Sequence, residues 1–153
     1  MGNINTTVGI KTLKYGTADG SPQTAVDVYQ DTCTFVEKDP TITEHKSETS
    51  AKKIVVKRKE GFELKFSIMD PTPAEIAAFC GGTANTDKGW KESEGSEQIA
   101  LSLDVEPQQG LTLHIPNASI AAKLNTTFSS TGITLLEVTA TPQKAVSYGT
   151  VTG

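Results

Sequence analysis

The sequence predicts a mainly β protein, an antiparallel β-sandwich or partly closed barrel with one short flanking α-helix. Apolar and polar residues alternate at a period of two in several segments, which is the pattern of half-buried strands. Turn-forming Gly, Pro, Asn and Asp separate these segments at short spacing. Only one stretch, at about residues 73–80, has both the start and the stop signals of a helix.

The first part of the chain is rich in Thr, Gly, Asn and Ser. Residues 1–25 hold few apolar side chains, so we expect an extended N-terminal arm with a weak strand or two, outside the packed core. Residues 26–36 have strand composition, and an extended run resumes at 41–43 after a break. The polar stretch 44–52 has no glycine or proline and exceeds a tight hairpin turn in length, which predicts a protruding loop.

A pair of strands is predicted around the glycine turn at Gly61. The first strand is Ile54–Lys59 and the second is Gly61–Met69. Apolar side chains fall on one face of the second strand, while Glu63 and Lys65 fall on the other. One face of this strand is therefore expected against a core and the other in water.

The helix that follows carries capping signals at both ends. Thr72 is predicted as the N-cap, Pro73 occupies the first helical position, and Glu75 completes a capping box. Gly81 and Gly82 supply the left-handed backbone that commonly ends a helix.

Four more strands are predicted after a loop over residues 82–98. They cover residues 99–105, 111–115, 119–124 and 133–139. Pro116 is expected to end the second of these strands or to mark it as an edge. Pro142 stops the last strand, and residues 143–153 are expected to form a flexible polar tail.

No residue pattern predicts a catalytic, metal or cofactor site. His45 falls in the polar loop and His114 on the wet face of a strand, and neither has a partner at metal-ligand spacing. Phosphate-binding glycine motifs are absent, because Gly81–Gly82 ends a helix instead of opening one. We therefore expect no enzymatic activity. Cys33 and Cys80 are expected to be free thiols that pack as small apolar residues.

The chain of 153 residues, with a net charge of −4, is expected to form one domain over residues 1–153. Its polar beginning predicts no signal peptide, and no segment approaches the roughly 18 apolar residues of a membrane helix. We expect a protein that is made and kept inside a cell until that cell releases it.

Charge is distributed unevenly along the sequence. Residues 44–65 contain seven basic and four acidic side chains, a net charge of +3, which leaves −7 (−4 − 3) for the remainder. Nucleic-acid binding is the alternative to an interface here, but no aromatic residue interrupts the basic cluster Lys52–Lys59 and the domain is acidic overall. Complementary charges of this kind favour self-association.

The order of strands, loop and helix resembles that of the major tail (tail tube) proteins of long-tailed bacteriophages. The resemblance covers most of the chain and is strongest over Ser47–Gly82, where a polar loop leads into a strand, a charged turn, an amphipathic strand, a D-x-T-x-x-E helix start and terminal glycines. The L-x-L-x-I-P-N-A run at 111–118 and the G-I-T-L-L-E-V-T-A-T-P run at 132–142 are also similar to strands of that family.

The resemblance implies a structural virion protein without a cofactor. Such proteins form hexameric rings that stack into a hollow tail tube, with sheets joined edge to edge around the lumen and each helix on the outside of its sheet. The implied partners are further copies of the chain and other tail proteins, such as tape measure and tail terminator, with DNA only as a passing cargo and no membrane. Assembly would occur in the bacterial host cytoplasm and leave the protein in the virion tail.

The N-terminal arm, the polar loop and the basic cluster would then contact neighbouring subunits. The predicted inter-subunit residues are Thr6, Val8, Ile10, His45, Lys46, Glu48, Lys52, Lys53, Lys57 and Lys59. The predicted lumen-facing residues are Asp104, Glu106, Glu63 and Lys65. Two alternatives stay open: the tube protein of a secretion or contractile injection system, and an adhesive or ligand-binding β-sandwich module.

Overall fold

A computed structural model describes residues 9–85, 88–95 and 98–149. Those residues form twelve strands and one helix, which confirms the predicted antiparallel, mainly β fold with one short helix. The strands are β1 (Thr12–Thr17), β2 (Thr24–Val26), β3 (Thr34–Glu37), β4 (Thr41–Lys46), β5 (Lys53–Arg58), β6 (Phe62–Met69), β7 (Thr83–Asn85), β8 (Gly89–Lys91), β9 (Ile99–Glu106), β10 (Leu113–Thr126), β11 (Thr134–Pro142) and β12 (Ser147–Tyr148). The helix α1 is Pro73–Cys80.

One large antiparallel sheet organises the molecule. Its strand order is β2-β1-β9-β10-β11-β6-β3. Strand β12 pairs with Leu113 and His114 of β10, before the β10–β11 ladder begins at Ala118. The sheet curls until the segment after β2 reaches β6, where Val28 forms an isolated bridge with Ile68 and the Met69 N–H donates to the Asp27 carbonyl at 2.8 Å. The barrel is therefore partly closed, without a continuous ladder at the seam.

The core lies on the inner face of this curled sheet. Alternate residues of each long strand point inward and are almost fully buried, as the period-two pattern predicted. The largest of them are Phe66, Leu13, Leu64, Ile68, Leu103, Ile115 and Leu136. Helix α1 covers this face and inserts Phe79, whose ring lies 4.9 Å from that of Tyr15 and 6.0 Å from that of Phe66.

The predicted helix boundaries and caps are confirmed. The Glu75 N–H donates to the Thr72 hydroxyl at 3.3 Å, and Pro73 is the first helical residue. At the other end, the Gly81 N–H donates to the Ala77 carbonyl at 2.9 Å with a positive φ of 81° at Gly81. Residues within one turn of the helix therefore supply the capping hydrogen bonds at both of its ends.

The prediction that residues 1–25 lie outside the core is wrong for the part that the structure describes. Strand β1 is internal to the sheet, paired with both β2 and β9, and Leu13 is fully buried. A few apolar residues in a polar context, namely Ile10, Leu13 and Tyr15, were sufficient, because the neighbouring strands supply the rest of the core around them. Residues 1–8 lie outside the described residues.

Three further boundaries differ from the predictions. The loop at 82–98 contains the β7–β8 hairpin, in which the Trp90 indole N–H donates to the Gly81 carbonyl at 2.7 Å. Strand β10 continues through Pro116 by a bulge, so Pro116 neither ends the strand nor lies at an edge. The ladder requires no N–H at this position of the bulge, and proline is therefore tolerated there. In the expected flexible tail, Ser147–Tyr148 pair with β10, and Val146 packs against the core.

The predicted strand pair 54–59 and 61–69 also differs. Strands β5 and β6 both exist, but β5 pairs with β4, and β6 pairs with β11 and β3. Together β3–β4 and β5–β6 form one long two-stranded ribbon that is interrupted at Lys38–Pro40 and Lys59–Gly61. The outer half of this ribbon, β4–β5, extends away from the sheet.

Candidate self-association surface

The β4–β5 hairpin (residues 41–58) is not covered by any other part of the chain that the structure describes. All of its residues are exposed, and among the described strands and helices β4 and β5 make extensive contact only with each other. Its base is fixed to the sheet, because the Lys38 N–H donates to the Gly61 carbonyl at 2.8 Å and the Thr41 hydroxyl to the Glu60 carboxylate at 2.6 Å. The hairpin is thus an arm of known direction with two uncovered faces.

Both faces of the hairpin carry large apolar side chains. The register pairs Glu44 with Val55 and Ile42 with Lys57, so Ile42 and Val55 share one face, which we call face A. The register pairs Thr43 with Val56 and His45 with Ile54, so Ile54 and Val56 share the other, face B. These four side chains are 50–58% exposed. An isolated two-stranded hairpin is at best marginally stable in water, which favours an additional surface against each face.

The charges of the hairpin are concentrated on face A. The Lys53 ammonium lies 3.0 Å and the Lys46 ammonium 3.8 Å from the Glu44 carboxylate, and Lys57 is on the same face. Residues 41–58 hold five basic and two acidic side chains, a net charge of +3. Because the exposed ion pairs contribute little to folding, this excess charge is available to an acidic partner.

The structure places the predicted inter-subunit residues in three groups. His45 and Lys46 lie in β4, Lys53 and Lys57 in β5, and three others in or next to the connecting segments, namely Glu48, Lys52 and Lys59. Ile10 is remote from them and packs, half-buried, against the core of its own chain. Thr6 and Val8 lie outside the described residues. The polar loop predicted over 44–52 is shorter in the structure, because residues 44–46 belong to β4.

The four predicted lumen residues share one face of the large sheet. Asp104 and Glu106 point outward from β9, and Glu63 and Lys65 point outward from β6, on the face opposite to Phe79 and the helix. Most of their charges are paired. The Asp104 carboxylate lies 2.5 Å from the Nδ1 of His114, and the Glu106 carboxylate lies 3.7 Å from the Lys11 ammonium.

The Glu63 carboxylate on this face has two cationic neighbours. The hydrogen-bonded Lys65 ammonium at 3.1 Å and the Lys38 ammonium at 3.6 Å hold the pKa of Glu63 below its usual range. The carboxylate therefore stays ionised and paired near neutral pH. The outward face thus presents charges that are largely compensated by their own neighbours.

The sheet also leaves a strand edge without a partner. Strand β10 pairs with β9 only as far as Ile120, opposite Ile99, so residues 121–126 have no partner on that side among the described residues. Unpaired strand edges of this length are the places where a second chain can add to a sheet.

A cavity of about 400 Å³ lies at the end of the curled sheet remote from the helix. Its walls are largely apolar and include Phe35, Leu64, Val105 and Leu113, with Cys33 among them. Burial raises the pKa of the Cys33 thiol to about 11, so this side chain is a neutral wall residue near neutral pH. Cys33 and Cys80 are not joined by a disulfide.

Across residues 9–85, 88–95 and 98–149, no group of three or more His, Cys, Asp or Glu side chains has the arrangement of a metal site. In the same residues no helix has the length and apolar character that crossing a bilayer requires.

The apolar residues of the hairpin are the feature that sequence reasoning missed. Ile54, Val55 and Val56 form a continuous apolar run, but the prediction for this segment rested on its lysines and did not anticipate that the described residues leave both faces of β5 exposed. The signal was present, because the apolar run lies between lysines in a strand that pairs with the polar residues 41–46. A comparison of the sequence with protein-family models and with curated proteins gives no match.

Proposed function

We propose that this chain is a structural protein that polymerises with copies of itself, as the tail tube protein of a long-tailed bacteriophage. The observation that carries the proposal is the β4–β5 hairpin, an arm of 18 residues (41–58) with apolar side chains on both faces that the rest of the described chain leaves exposed. Hexameric rings that stack around a lumen are what the resemblance to tail tube proteins implies.

Another copy of the chain suits the hairpin better than an unrelated partner does. The hairpin has a net charge of +3, whereas the other residues of the chain sum to −7 (−4 − 3). A subunit with this division attracts its own kind head to tail, and the interaction weakens as salt screens it. The edge of β10 at residues 121–126, which has no partner among the described residues, adds a second place where an identical subunit can bind by main-chain hydrogen bonds.

The outward face of the sheet suits a lumen. Its carboxylates Asp104, Glu106 and Glu63 each have a neighbouring cationic or imidazole group, so few cations are free to hold phosphate. DNA would pass along such a wall as non-specific cargo. In this proposal the protein is assembled in the bacterial host cytoplasm, joins tape measure and tail terminator proteins, and remains in the virion tail.

A tube protein of a secretion or contractile injection system would use the same hairpin and the same charge division. The second candidate of another class is an adhesive or ligand-binding β-sandwich, which the cavity of about 400 Å³ favours because its volume lies in the range of small-molecule sites. A ligand-binding module has no need for an uncovered apolar arm, and for that reason we favour self-assembly.

Negative-stain microscopy of the concentrated full chain separates these functions. We expect rings or tubes with a hollow centre, and we expect only monomers when residues 44–51 are replaced by a short Gly/Ser linker. The matched control makes Gly/Ser replacements in the equally exposed turn 127–131 but keeps Phe128, so that a second exposed turn is changed without loss of its large apolar side chain. A monodisperse monomer at all concentrations, with a saturable small ligand, would overturn the proposal.

A further inference from the structure

The turn between β10 and β11 carries the most exposed large apolar side chain of the described residues. Phe128 is 96% exposed, and Leu124 and Ile133 on either side of it are also exposed. The turn stands beyond the body of the sheet, because β9 pairs with β10 only to Ile120 and β6 pairs with β11 only from Leu135 onward. None of the residues 125–133 is charged.

Hydrogen bonds within the turn hold its shape. The Gly132 N–H donates to the Ser129 carbonyl at 3.3 Å, and the Thr126 hydroxyl donates to that of Thr134 at 3.2 Å. The backbone is so tightly folded that a Cβ at Gly132 would lie 2.3 Å from the Thr127 carbonyl oxygen. Phe128 is therefore presented by a preformed turn, and burying it against a partner would cost little ordering of the backbone.

The cavity at the opposite end of the molecule has the properties of a receptor for such a side chain. Its volume of about 400 Å³ exceeds the roughly 150 Å³ in which an apolar cavity already holds a benzene ring. Its walls include Cys33, Phe35, Leu64, Val105 and Leu113, and Asp31 is the only charged residue among the described residues that line it.

We propose that Phe128 of one copy inserts into this cavity of a second copy. The match in charge selects this occupant over the apolar side chains of the hairpin. Ile42, Val55 and their neighbours on the hairpin lie among lysines that would have to be desolvated, whereas the turn at 125–133 has no charge to desolvate. The inference rests on the proposed self-assembly and adds to it a specific contact between copies.

The positions of the turn and the cavity require that the contact forms between different copies. The cavity is lined by Leu113, at the start of β10, and the turn follows Thr126, at its end, so the two lie about 40 Å apart at about 3.3 Å per residue. Phe128 therefore cannot fill the cavity of its own chain. A contact between two different patches can repeat from copy to copy in a ring or a line, which is the arrangement that the proposed assembly requires.

The contact is too small to hold two subunits together alone. An aromatic side chain buries roughly 150–250 Å², far less than the roughly 1,000 Å² that a stable interface needs. It would therefore form only in an assembly that other contacts, such as those of the hairpin, already hold, where the effective concentration is high.

Cysteine cross-linking tests the contact, because Cys33 already lines the cavity. In the full chain with Cys80→Ser, Phe128→Cys should form disulfides with Cys33 of the next copy under copper–phenanthroline. Because this variant lacks the Phe128 ring, the protein concentration is set well above the one at which wild type assembles. We expect a ladder of dimers, trimers and larger species on a non-reducing gel. The ladder should vanish when Cys33→Ser is added, and Ser130→Cys in the same turn should cross-link far less.

A second measurement does not depend on the reactivity of Cys33. Phe128→Ser should raise the protein concentration needed for assembly about tenfold or more, whereas Phe128→Leu should stay within about threefold of wild type. If wild type forms tubes and Phe128→Ser assembles at the same protein concentration, the contact is overturned and the proposed function stays intact. Wild-type tubes together with cross-links that persist after Cys33→Ser would lead to the same conclusion. A Cys33-dependent ladder without rings or tubes would support the contact and overturn the tube; the absence of both would overturn both.

Discussion

Removing the apolar side chains from one face of the β4–β5 hairpin should weaken assembly and leave the subunit folded. The double variant Ile42→Thr/Val55→Thr changes face A, and Ile54→Thr/Val56→Thr changes face B. Full burial of a Val or Ile side chain stabilises by roughly 1.5–3 kcal/mol, and these four remain 50–58% exposed in the free chain. Covering the remainder would contribute about 1 kcal/mol per side chain, or about 2 kcal/mol per face.

The assay is the critical concentration for assembly, measured by sedimentation across a dilution series. A loss of about 2 kcal/mol corresponds to an increase of about thirtyfold for either double variant. Threonine keeps the β-branched shape, and the sites are exposed, so the free energy of unfolding of the monomer should change by less than about 0.5 kcal/mol per site. A critical concentration unchanged in both variants would refute the assignment of the hairpin as the interface, and a change in only one would mean that only one face is covered.

Three further results are expected from the monomer. Thr72→Ala should lower the free energy of unfolding by about 1 kcal/mol because it removes the acceptor of the Glu75 N–H, while Thr72→Ser should retain most of it; equal melting temperatures of all three proteins would contradict the cap. Phe79→Ala should cost about 3–5 kcal/mol in urea unfolding, because the ring is buried between Tyr15 and Phe66, and a loss below about 1 kcal/mol would place the helix outside the core. Burial raises the pKa of Cys33 to about 11, against an ordinary value of 9.0, so its alkylation by iodoacetamide at pH 8 should be about a hundredfold slower than that of an unperturbed thiol. The alkylation rate should rise tenfold per pH unit up to about pH 11. A rate that levels off near pH 9 would contradict this.

Local signals predicted the helix and several strands well. Thr72, Pro73 and the terminal glycines act within one or two turns of the backbone, and their partners are close in the sequence. The alternation of residues 62–68 likewise determined which side chains face the core, because the period of two is a property of the strand itself. These features need no knowledge of the rest of the molecule.

Features that depend on distant strands could not be read from the sequence. Strand β1 is buried because β9 lies on one side and β2 on the other, and no residue near Leu13 in the sequence indicates that these strands pair with β1. Pro116 interrupts the pattern locally, yet the bulge in β10 is supported by the Asp19 N–H, which donates to the Pro116 carbonyl from a loop almost a hundred residues earlier. The cavity has the same character, since its walls come from both ends of the chain.

Hydrogen–deuterium exchange of residues 41–58 at low and at high protein concentration tests the central claim most directly. The claim is that neighbouring copies cover both faces of the hairpin, so its amides should exchange quickly in the dilute monomer and become strongly protected when the protein assembles. Peptides from α1, which is already packed in the monomer, provide the internal control and should change little. Assemblies in which the hairpin exchanges as fast as in the monomer would contradict the account.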